Sequence, residues 1–549
     1  RYLKSLGFGD YDLSCILKAT KDEIFQYRKI HKIFPVYKIV DTCAAEFSAR
    51  TPYYYSTYEE ENEVIKTPQR SVVVLGSGPI RIGQGIEFDY CTVQAVKAIK
   101  EEGLVSVMIN NNPETLSTDF DISDRLYFDP LTTEDVTNIM EQEEPLGFLS
   151  QFGGQTAINL SKNLVKRGFY LLGTPQESID LAEDREKFDK VLQKLKIPRP
   201  KGFYIKSFKE AKEVIKEVGF PVLLRPSYVL GGRAMHIINN MEELEEYFKR
   251  RDLILPLWMD QFILGKEAEV DLICDNEEVF IPGIMEHVER AGIHSGDSIA
   301  IYPPYSLSSK AQEKIIDYSN KIALALKVRG LLNIQFVIDK RDEVFVLEAN
   351  PRASRTVPYL SKALKLPLVK YATKIALGYT IRELGLKPGL YPKPNYYAIK
   401  APVFSFTKIK GAEVELGPEM RSTGEVMGID YEWAKALYKA LYASGIRIPI
   451  NGGKIFVTSV FSAPWEKLIL KGYKLYSLED KEEFIKVNFK DDEMSTLASY
   501  EFDLVIAIDD KDKGWRRACY DIGLPCIVTE DMFNAVIKRL NEFGDLDVD

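Results

Sequence analysis

The sequence has few of the residues that build disulfides or zinc sites. It contains four histidines and six cysteines in 549 residues, and no two cysteines form a Cys-x-x-Cys pair. The cysteines are Cys15, Cys43, Cys91, Cys274, Cys519 and Cys526. Such scattered thiols argue against a disulfide framework or a zinc site and indicate a reduced, cytoplasmic protein.

Long apolar runs and an excess of positive charge are also missing. No run approaches the roughly 20 apolar residues of a membrane-spanning helix. The 72 basic and 81 acidic residues give a net charge of -9, which argues against non-specific binding to nucleic acid or anionic membranes. The first residues, 1–4, show no secretory pattern. They also lack an initiating Met, so we expect the natural N-terminus to lie upstream.

The length suits three or four domains, and the pattern changes along the chain. Residues 1–66 are predicted to be helical, with a capping box at Thr20-Lys21-Asp22-Glu23. Apolar, β-branched runs at Ser71–Leu75, Leu104–Ile109 and Gly147–Gln151 then alternate with helical patterns. This alternation predicts an α/β domain with a parallel sheet.

The second half shows a different organisation. Shorter strands with hairpin-like turns are expected from about 200 to 350, and helices to about 380. A Pro-rich stretch over 388–402 follows, and a last αβ unit is predicted from about 446. No notable motif occurs twice, so we expect one catalytic unit without internal repeats.

A glycine-rich segment, residues 76–85, directly follows the first predicted strand. A dinucleotide-binding fingerprint would have the pattern Gly-x-Gly-x-x-Gly. Here the third glycine of that pattern is replaced by Arg81, and glycines occur at 83 and 85 instead. A structural glycine turn in a Rossmann-like domain is therefore favoured over an NAD site.

Another glycine pair follows a strand that ends in an arginine. Arg225 offers a planar guanidinium suited to phosphate oxygens. Gly231 and Gly232 could form a flexible flap over a triphosphate. An ordinary hairpin with a surface arginine is the alternative interpretation.

The hairpin over residues 333–349 carries the most specific polar set. Residues 333–338 and 343–349 are two alternating strands, and a turn centred between 341 and 342 places Gln335 opposite Glu348. Period two puts Asn350 on the same face. One carboxylate and two amide oxygens suit magnesium shared with substrate phosphates. A merely solvated hairpin end is the alternative.

Two arginines and a separate polar segment are further candidates for a site at this hairpin. Arg352 and Arg355 follow it and could neutralise a transferring phosphoryl group. Residues 286–298 form a polar loop that holds two of the four histidines, and we expect His294 and Ser295 to lie nearest the ligand.

Six segments together resemble one family, the large subunit of carbamoyl phosphate synthetase, and specifically its second half. They are GSGPIRIGQGIEFDY (76–90), NNPETLSTDFD (111–121), RPSYVLGGRAM (225–235), IMEHVERAGIHSGDS (284–298), LEANPRASRTVP (347–358) and LGPEMRSTGEVMG (416–428). The resemblance runs from about residue 10 to about residue 445 and becomes weak over 446–549.

The resemblance implies a domain organisation. Residues 1–66 would be the end of a helical oligomerisation domain, and 67–195 a Rossmann-like pre-ATP-grasp domain. Residues 196–445 would hold the ATP-grasp domain and a trailing segment. Residues 446–549 would be a small αβ, methylglyoxal-synthase-like regulatory domain.

The resemblance also implies roles for single residues. Nucleotide contacts would come from Arg225, Gln261, Ile263, Glu267, Gly292, Ile293, His294, Ser295, Gln335 and Glu348. Gln335, Glu348 and Asn350 would bind metal, while Arg352 and Arg355 would contact substrate and phosphate. The segment from Gln261 to Glu267 is one residue shorter than is usual in the family, which weakens the placement of Gln261 and Ile263.

The implied reaction is phosphorylation of carbamate by ATP to carbamoyl phosphate, feeding arginine and pyrimidine biosynthesis. The implied cofactors are ATP, two Mg²⁺ or Mn²⁺ ions and, as a further candidate, K⁺. The implied partners are the bicarbonate-phosphorylating N-terminal half, which supplies carbamate through a tunnel, and a glutaminase small subunit. Rival interpretations are another ATP-grasp ligase, such as a biotin-dependent carboxylase component, and a non-catalytic nucleotide sensor.

The predicted regulatory domain departs from its family. After the run 472–477 the chain continues Leu-Glu-Asp-Lys-Glu-Glu, where many bacterial relatives have a Thr/Gly-rich loop for the phosphate of a pyrimidine nucleotide. Ala401 follows Lys400 where ornithine-responsive members have a Glu, although Glu289 and Asp297 remain. We therefore expect weak or absent responses to uridine monophosphate and ornithine.

Overall fold

A computed structural model of the protein describes residues 1–47, 51–65, 68–81, 85–226, 235–250, 253, 255–406, 415–450 and 452–537. The strands within these ranges form four sheets. Within the same ranges no helix combines the length and the apolar composition that crossing a membrane requires.

The first sheet is the predicted parallel sheet, with strands in the order β1-β2-β5-β4-β3-β6. Strands β2 to β6 pair in parallel, which confirms the predicted alternation of strands and helices. The elements of this part are α1 (Tyr2–Ser5), α2 (Asp10–Leu17), α3 (Lys21–Ile30), β1 (Val36–Ile39), β2 (Tyr53–Thr57), β3 (Ser71–Leu75), α4 (Glu87–Glu101), β4 (Val105–Ile109), β5 (Arg125–Tyr127), α5 (Thr133–Glu143), β6 (Gly147–Leu149) and α6 (Gly154–Lys166).

The prediction that residues 1–66 are helical is wrong for their second part. The capping box is confirmed, since the Thr20 amide donates to Glu23 Oε2 at 2.7 Å and the Glu23 amide to Thr20 Oγ1 at 3.2 Å. After α3, however, β1 and β2 form an antiparallel pair that extends the parallel sheet beside β5.

Aromatic packing explains these two strands. Tyr37 in β1 and Tyr54 in β2 are buried and contact Tyr127 in β5, with ring centroids 4.9 and 5.4 Å apart. Aromatic and β-branched side chains favour the pleated surface of a sheet. The short apolar pattern of these runs does not distinguish a strand from a helix in the sequence.

A small antiparallel sheet follows, with strands in the order β7-β10-β8-β9. Two of its helices pack through buried Ile215 and Leu244 onto strand residues such as Leu224. The elements of this part are α7 (Gln176–Glu183), α8 (Arg185–Leu195), β7 (Gly202–Ile205), α9 (Phe208–Val218), β8 (Val222–Pro226), β9 (His236–Ile238), α10 (Met241–Phe248) and β10 (Leu257–Gln261).

The largest sheet has the order β16-β15-β11-β13-β14-β18-β19, and β12 and β17 extend it beside β11. Strand β18 lies partly within the stretch that the sequence presents as Pro-rich. The elements are β11 (Gly265–Asp275), β12 (Val279–Ile281), β13 (Met285–Arg290), β14 (Ala300–Tyr302), α11 (Ser309–Ala325), β15 (Arg329–Asp339), β16 (Val344–Asn350), α12 (Thr356–Leu364), α13 (Leu368–Ala376), β17 (Gly389–Leu390), β18 (Tyr397–Val403), β19 (Gly424–Asp430) and α14 (Trp433–Ala443).

The last unit has a parallel sheet in the order β22-β21-β20-β23-β24, which confirms an αβ unit after residue 446. It docks onto the large sheet, where Arg290 Nε donates to Asp531 Oδ2 at 2.9 Å. Its elements are β20 (Gly453–Val457), α15 (Trp465–Ile469), β21 (Tyr473–Ser477), β22 (Ile485–Lys486), α16 (Glu493–Tyr500), β23 (Leu504–Ile506), α17 (Lys513–Ile522), β24 (Cys526–Ile527) and α18 (Glu530–Ile537).

Candidate active site

Strands β15 and β16 bring the predicted metal-binding set together. Gln335 pairs with Glu348, as predicted, and Asn333 pairs with Asn350. Closer to the turn the pairing is shifted by one residue, and Leu347 is the extra residue of a β-bulge between the two registers. Beyond the bulge, this pairing places Gln335, Glu348 and Asn350 together at the end of the hairpin away from the turn.

The hydrogen bonds of this set leave oxygen atoms for a cation. Asn350 Nδ2 donates to Glu348 Oε1 at 2.9 Å, and Gln335 Nε2 donates to Ser295 Oγ at 3.3 Å. Because both amide nitrogens donate to protein oxygens, the amide oxygens and Glu348 Oε2 are the atoms that a cation would meet. Such a hard oxygen set fits Mg²⁺ or Mn²⁺ bound together with substrate phosphates.

Of the polar loop predicted over 286–298, residues 286–290 instead belong to β13, and the remainder lies between β13 and β14, directly beside this set. The Gly292 amide donates to Glu267 Oε1 at 3.3 Å, which ties the loop to β11. His294 Nδ1 accepts from the Gly296 amide at 3.1 Å. Burial lowers the pKa of His294, so the neutral ring carries its proton on Nε2 and can donate it to a ligand. Ile293 and Ser295 complete the loop.

Arg352 and Arg355 connect the hairpin to the first, parallel sheet. Arg352 Nε donates to Gln155 Oε1 on α6 at 3.2 Å. Arg355 is 9% exposed, and its guanidinium lies 3.6 Å from Glu87 Oε2 on α4. The carboxylate end of Glu87 and the guanidinium end of Arg355 lie where a Cβ at position 85 would be, so a larger residue than Gly85 would displace both side chains. The two arginines therefore lie where the predicted metal-binding set meets the parallel domain.

The glycine turn after β3 has a structural role. The Gly76 amide donates to the Ile109 carbonyl at 2.9 Å, and a Cβ at Gly76 would overlap the side chain of Asn110. The Gly78 amide donates to Asn110 Oδ1 at 3.0 Å. These contacts support the interpretation of the glycines as a close approach of the β3 and β4 loops.

Arg225 lies on the small sheet and belongs to a cluster of arginines. Its guanidinium hydrogen-bonds to the buried carboxylate of Asp260, which also lies 3.3 Å from Arg185 and 3.7 Å from Arg199. Trp258 Nε1 donates to Asp260 Oδ1 at 2.6 Å. Arg199 also lies 3.5 Å from Asp189, so three guanidinium groups share two carboxylates. The remaining excess of positive charge suits a phosphate tail.

The sequence interpretation missed Arg185 and Arg199. Arg185 directly follows Asp184, which caps α8 by accepting from the Lys187 amide at 3.1 Å. An arginine beside a helix cap has no sequence pattern that indicates a binding role. Arg185 and Arg225 both contact Asp260, which lies far from Arg185 in the sequence. Gln261 ends β10 and Ile263 lies in the short connection to β11, whereas Gly231 and Gly232 lie outside the described residues.

A buried group of titratable residues lies behind the ligand loop. These residues share one face of the large sheet. His287 lies 3.6 Å from Glu267 and 3.3 Å from Glu269. Burial alone would lower the pKa of His287, but the two nearby carboxylates, with Glu269 in hydrogen-bonding distance of Nε2, outweigh burial and raise the pKa to about 9. Burial, and then the charge of Glu269, raises the pKa of Asp271 to about 7.

His287→Gln is expected to reduce stability more at pH 6 than at pH 10. A raised pKa means that the folded state stabilises the imidazolium. The resulting contribution to the free energy of unfolding is fully present below the unfolded pKa of about 6.5 and is lost as the pH rises through 9. The difference amounts to about 3 kcal/mol at most. Urea unfolding of both proteins at the two pH values measures it. His31→Gln, at an exposed position, is the control, and an effect of His287→Gln that is equal at both pH values would contradict the charged imidazole.

Two protein-family models match the sequence of this chain. The model described as "Carbamoyl phosphate synthase preATP-grasp domain" matches residues 68–181. The model described as "Carbamoyl-phosphate synthase L chain, ATP binding domain" matches residues 184–384. The matched ranges contain every candidate site residue named above.

A curated relative and solved structures are also similar to the chain. A carbamoyl phosphate synthase large chain of Thermoanaerobacter pseudethanolicus is 48% identical over 560 residues, which cover 98% of this chain and 52% of the relative. The chain thus spans about half the length of that relative. The biotin carboxylase domain of Hydrogenobacter thermophilus 2-oxoglutarate carboxylase is 20% identical with a TM-score of 0.52 and covers 69% of this chain and 90% of that chain.

A third similar protein has the same fold. N5-carboxyaminoimidazole ribonucleotide synthetase of Thermotoga maritima is 16% identical with a TM-score of 0.50, covering 68% of this chain and 97% of that chain. At these identities the two structures show the fold alone. Together with the two family models, they support the predicted combination of a pre-ATP-grasp with an ATP-grasp domain.

Proposed function

Because the chain belongs to the carbamoyl phosphate synthase large-chain family, we propose that it transfers the γ-phosphate of ATP to carbamate. The observation that carries this proposal is the hairpin set Gln335, Glu348 and Asn350 beside two arginines. In the proposed reaction a carbamate oxygen bonds to the γ-phosphorus, the bond to the β–γ bridging oxygen breaks, and ADP leaves.

The residues of the site have separable tasks. Arg225, with Arg185, binds the phosphate tail, and Glu267 with the loop 292–295 holds the nucleotide. Gln335, Glu348 and Asn350 would hold two divalent ions, which when bound supply positive charge against the phosphate oxygens. Arg352 and Arg355 orient the carbamate and neutralise charge that develops on the transferring group. The buried junction of the two domains limits access of water to carbamate, which is labile.

We assign the chain to the second half of a large chain. The segments that carry its resemblance are those of the half that forms carbamoyl phosphate, and the chain spans about half of its relative. Its partners would then be the bicarbonate-phosphorylating half and a glutaminase subunit, and its product would feed arginine and pyrimidine synthesis. ATP formation from ADP and carbamoyl phosphate tests the site alone, because this reverse transfer needs neither partner.

We further propose that the last unit is a methylglyoxal-synthase-like domain without a nucleotide-phosphate site. At the carboxyl ends of its strands, backbone amide and hydroxyl donors that could bind a phosphate already donate to protein carboxylates. The Val460 amide donates to Glu479 Oε1 at 2.9 Å, and Thr458 Oγ1 donates to Asp512 Oδ2 at 2.6 Å. The negative charge of these carboxylates would repel a phosphate.

Uridine monophosphate and ornithine are therefore expected to bind weakly, with dissociation constants above about 1 mM, or not at all. For ornithine the reason is Ala401, which supplies no carboxylate for the ligand's ammonium beside Glu289 and Asp297. Calorimetric titration of the chain with each compound measures this. Micromolar binding of uridine monophosphate, lost when residues after 446 are deleted, would show that the last unit has been misinterpreted.

A further inference from the structure

Strand β18 carries a lysine that is buried almost completely. Lys400 is 1% exposed and is among the largest fully buried side chains of the described residues. A lysine is almost never buried unless its ammonium has a polar partner. The partner here is the ligand loop, because Lys400 Nζ donates to the backbone carbonyl of Ser295 at 3.1 Å.

The sheet explains how Lys400 reaches that loop. Lys400 pairs with Ala300 in β14, and Ala300 pairs with His287 in β13. These three residues form a row on one face of the sheet, and the small Ala300 leaves room for the lysine side chain to extend towards Ser295.

Lys400 also lies next to a partly buried carboxylate. It pairs with Met427 in β19, which puts Glu425 two residues along the same face, at a diagonal cross-strand position. The Lys400 charge opposes the rise that burial causes in the pKa of Glu425. The ammonium is thus balanced on one side by a carboxylate and holds the ligand loop on the other.

We propose that Lys400 is a positioning residue of the nucleotide site. By holding the Ser295 carbonyl it fixes the loop 292–295 where the Ser295 hydroxyl accepts from Gln335 Nε2. The inference rests on the proposed function, which assigns this loop to the nucleotide. Among the described residues Lys400 Nζ donates to the Ser295 carbonyl and not to the hairpin set or the two arginines, so its effect passes through the loop.

Lys400→Met tests this role, because methionine preserves much of the volume and removes the donor and the charge. We expect the dissociation constant of Mg-ADP, measured by calorimetry, to rise at least about tenfold, the scale of a lost charge-assisted hydrogen bond. In the ATP-forming assay the KM for ADP should rise while kcat at saturating ADP changes less than about threefold, because the groups at the transferred phosphate are intact.

The double variant Lys400→Met/Glu425→Gln separates positioning from charge balance. It removes the carboxylate that the single variant would leave uncompensated, so it should recover thermal stability but not Mg-ADP affinity. Lys439→Met is the matched control: this half-exposed lysine pairs with Asp430 at 2.8 Å at the end of β19 and should leave affinity unchanged.

Each other outcome overturns the proposal. If both Lys400 variants bind Mg-ADP as the unaltered chain does, Lys400 has no positioning role. If the double variant recovers both stability and affinity, Lys400 serves charge balance alone, and if both variants fail to fold its role is structural. If the unaltered chain does not bind Mg-ADP, the proposed function is wrong and this inference is wrong with it.

Discussion

Glu348→Gln is expected to lower ATP formation from ADP and carbamoyl phosphate at least about 100-fold, the scale of losing a key electrostatic contributor. Glutamine has nearly the same shape, and its Oε1 can still accept from Asn350 Nδ2, so the hairpin should remain folded. What is lost is the single carboxylate of the metal-binding set, and with it the negative charge that holds a divalent cation. A coupled assay for ATP at saturating ADP measures the change.

Glu343→Gln is the control for this variant. Glu343 lies just before β16, near the turn of the same hairpin, and pairs with Lys314 at 2.8 Å. Its replacement should leave the activity within about twofold, since surface ion pairs contribute little. If Glu348→Gln stayed within about threefold of the unaltered chain, the metal-binding set would have been placed wrongly.

The purified 549-residue chain is expected to make no carbamoyl phosphate from glutamine, bicarbonate and ATP. Its family matches comprise one pre-ATP-grasp and one ATP-binding domain, at 68–181 and 184–384, and it spans 52% of its relative. Glutamine hydrolysis and bicarbonate phosphorylation would therefore have to come from partners. Carbamoyl phosphate can be trapped enzymatically and quantified against a reaction without the chain.

A positive control makes this negative result informative. The same preparation should form carbamoyl phosphate when fresh ammonium carbamate is added with Mg-ATP, because the substrate of the proposed site is then supplied directly. Glutamine-dependent synthesis by the isolated chain would contradict the assignment to one half of a large chain.

The hairpin could be predicted from the sequence because its signal is local. Period-two alternation on both sides of a polar turn indicated the strands, and the turn centre indicated the partner of Gln335. The predicted pairing is correct at Gln335 and Glu348. It is off by one residue near the turn, and the bulge at Leu347 corrects the difference. A bulge of this kind has no sequence signature here.

Contacts between distant segments could not be predicted in the same way. Arg185 joins Arg225 only through Asp260, and Lys400 meets Ser295 across two strand pairings. The sequence does not predict strand β18 because prolines flank and interrupt its apolar residues. Pro402 nevertheless lies within the strand and pairs with Glu425. For such positions only the resemblance to a family offers a prediction, because periodicity carries no information about contacts between distant segments.

The most direct test of the account is ATP formation by the chain from Mg-ADP and carbamoyl phosphate, followed by a coupled dehydrogenase. We expect ATP production that depends on carbamoyl phosphate and falls at least about 100-fold in Glu348→Gln. The contradicting result is a chain that binds Mg-ADP and forms no ATP from carbamoyl phosphate, yet hydrolyses ATP when bicarbonate and biotin are added. That outcome would assign the site to a carboxylase-type ATP-grasp ligase instead.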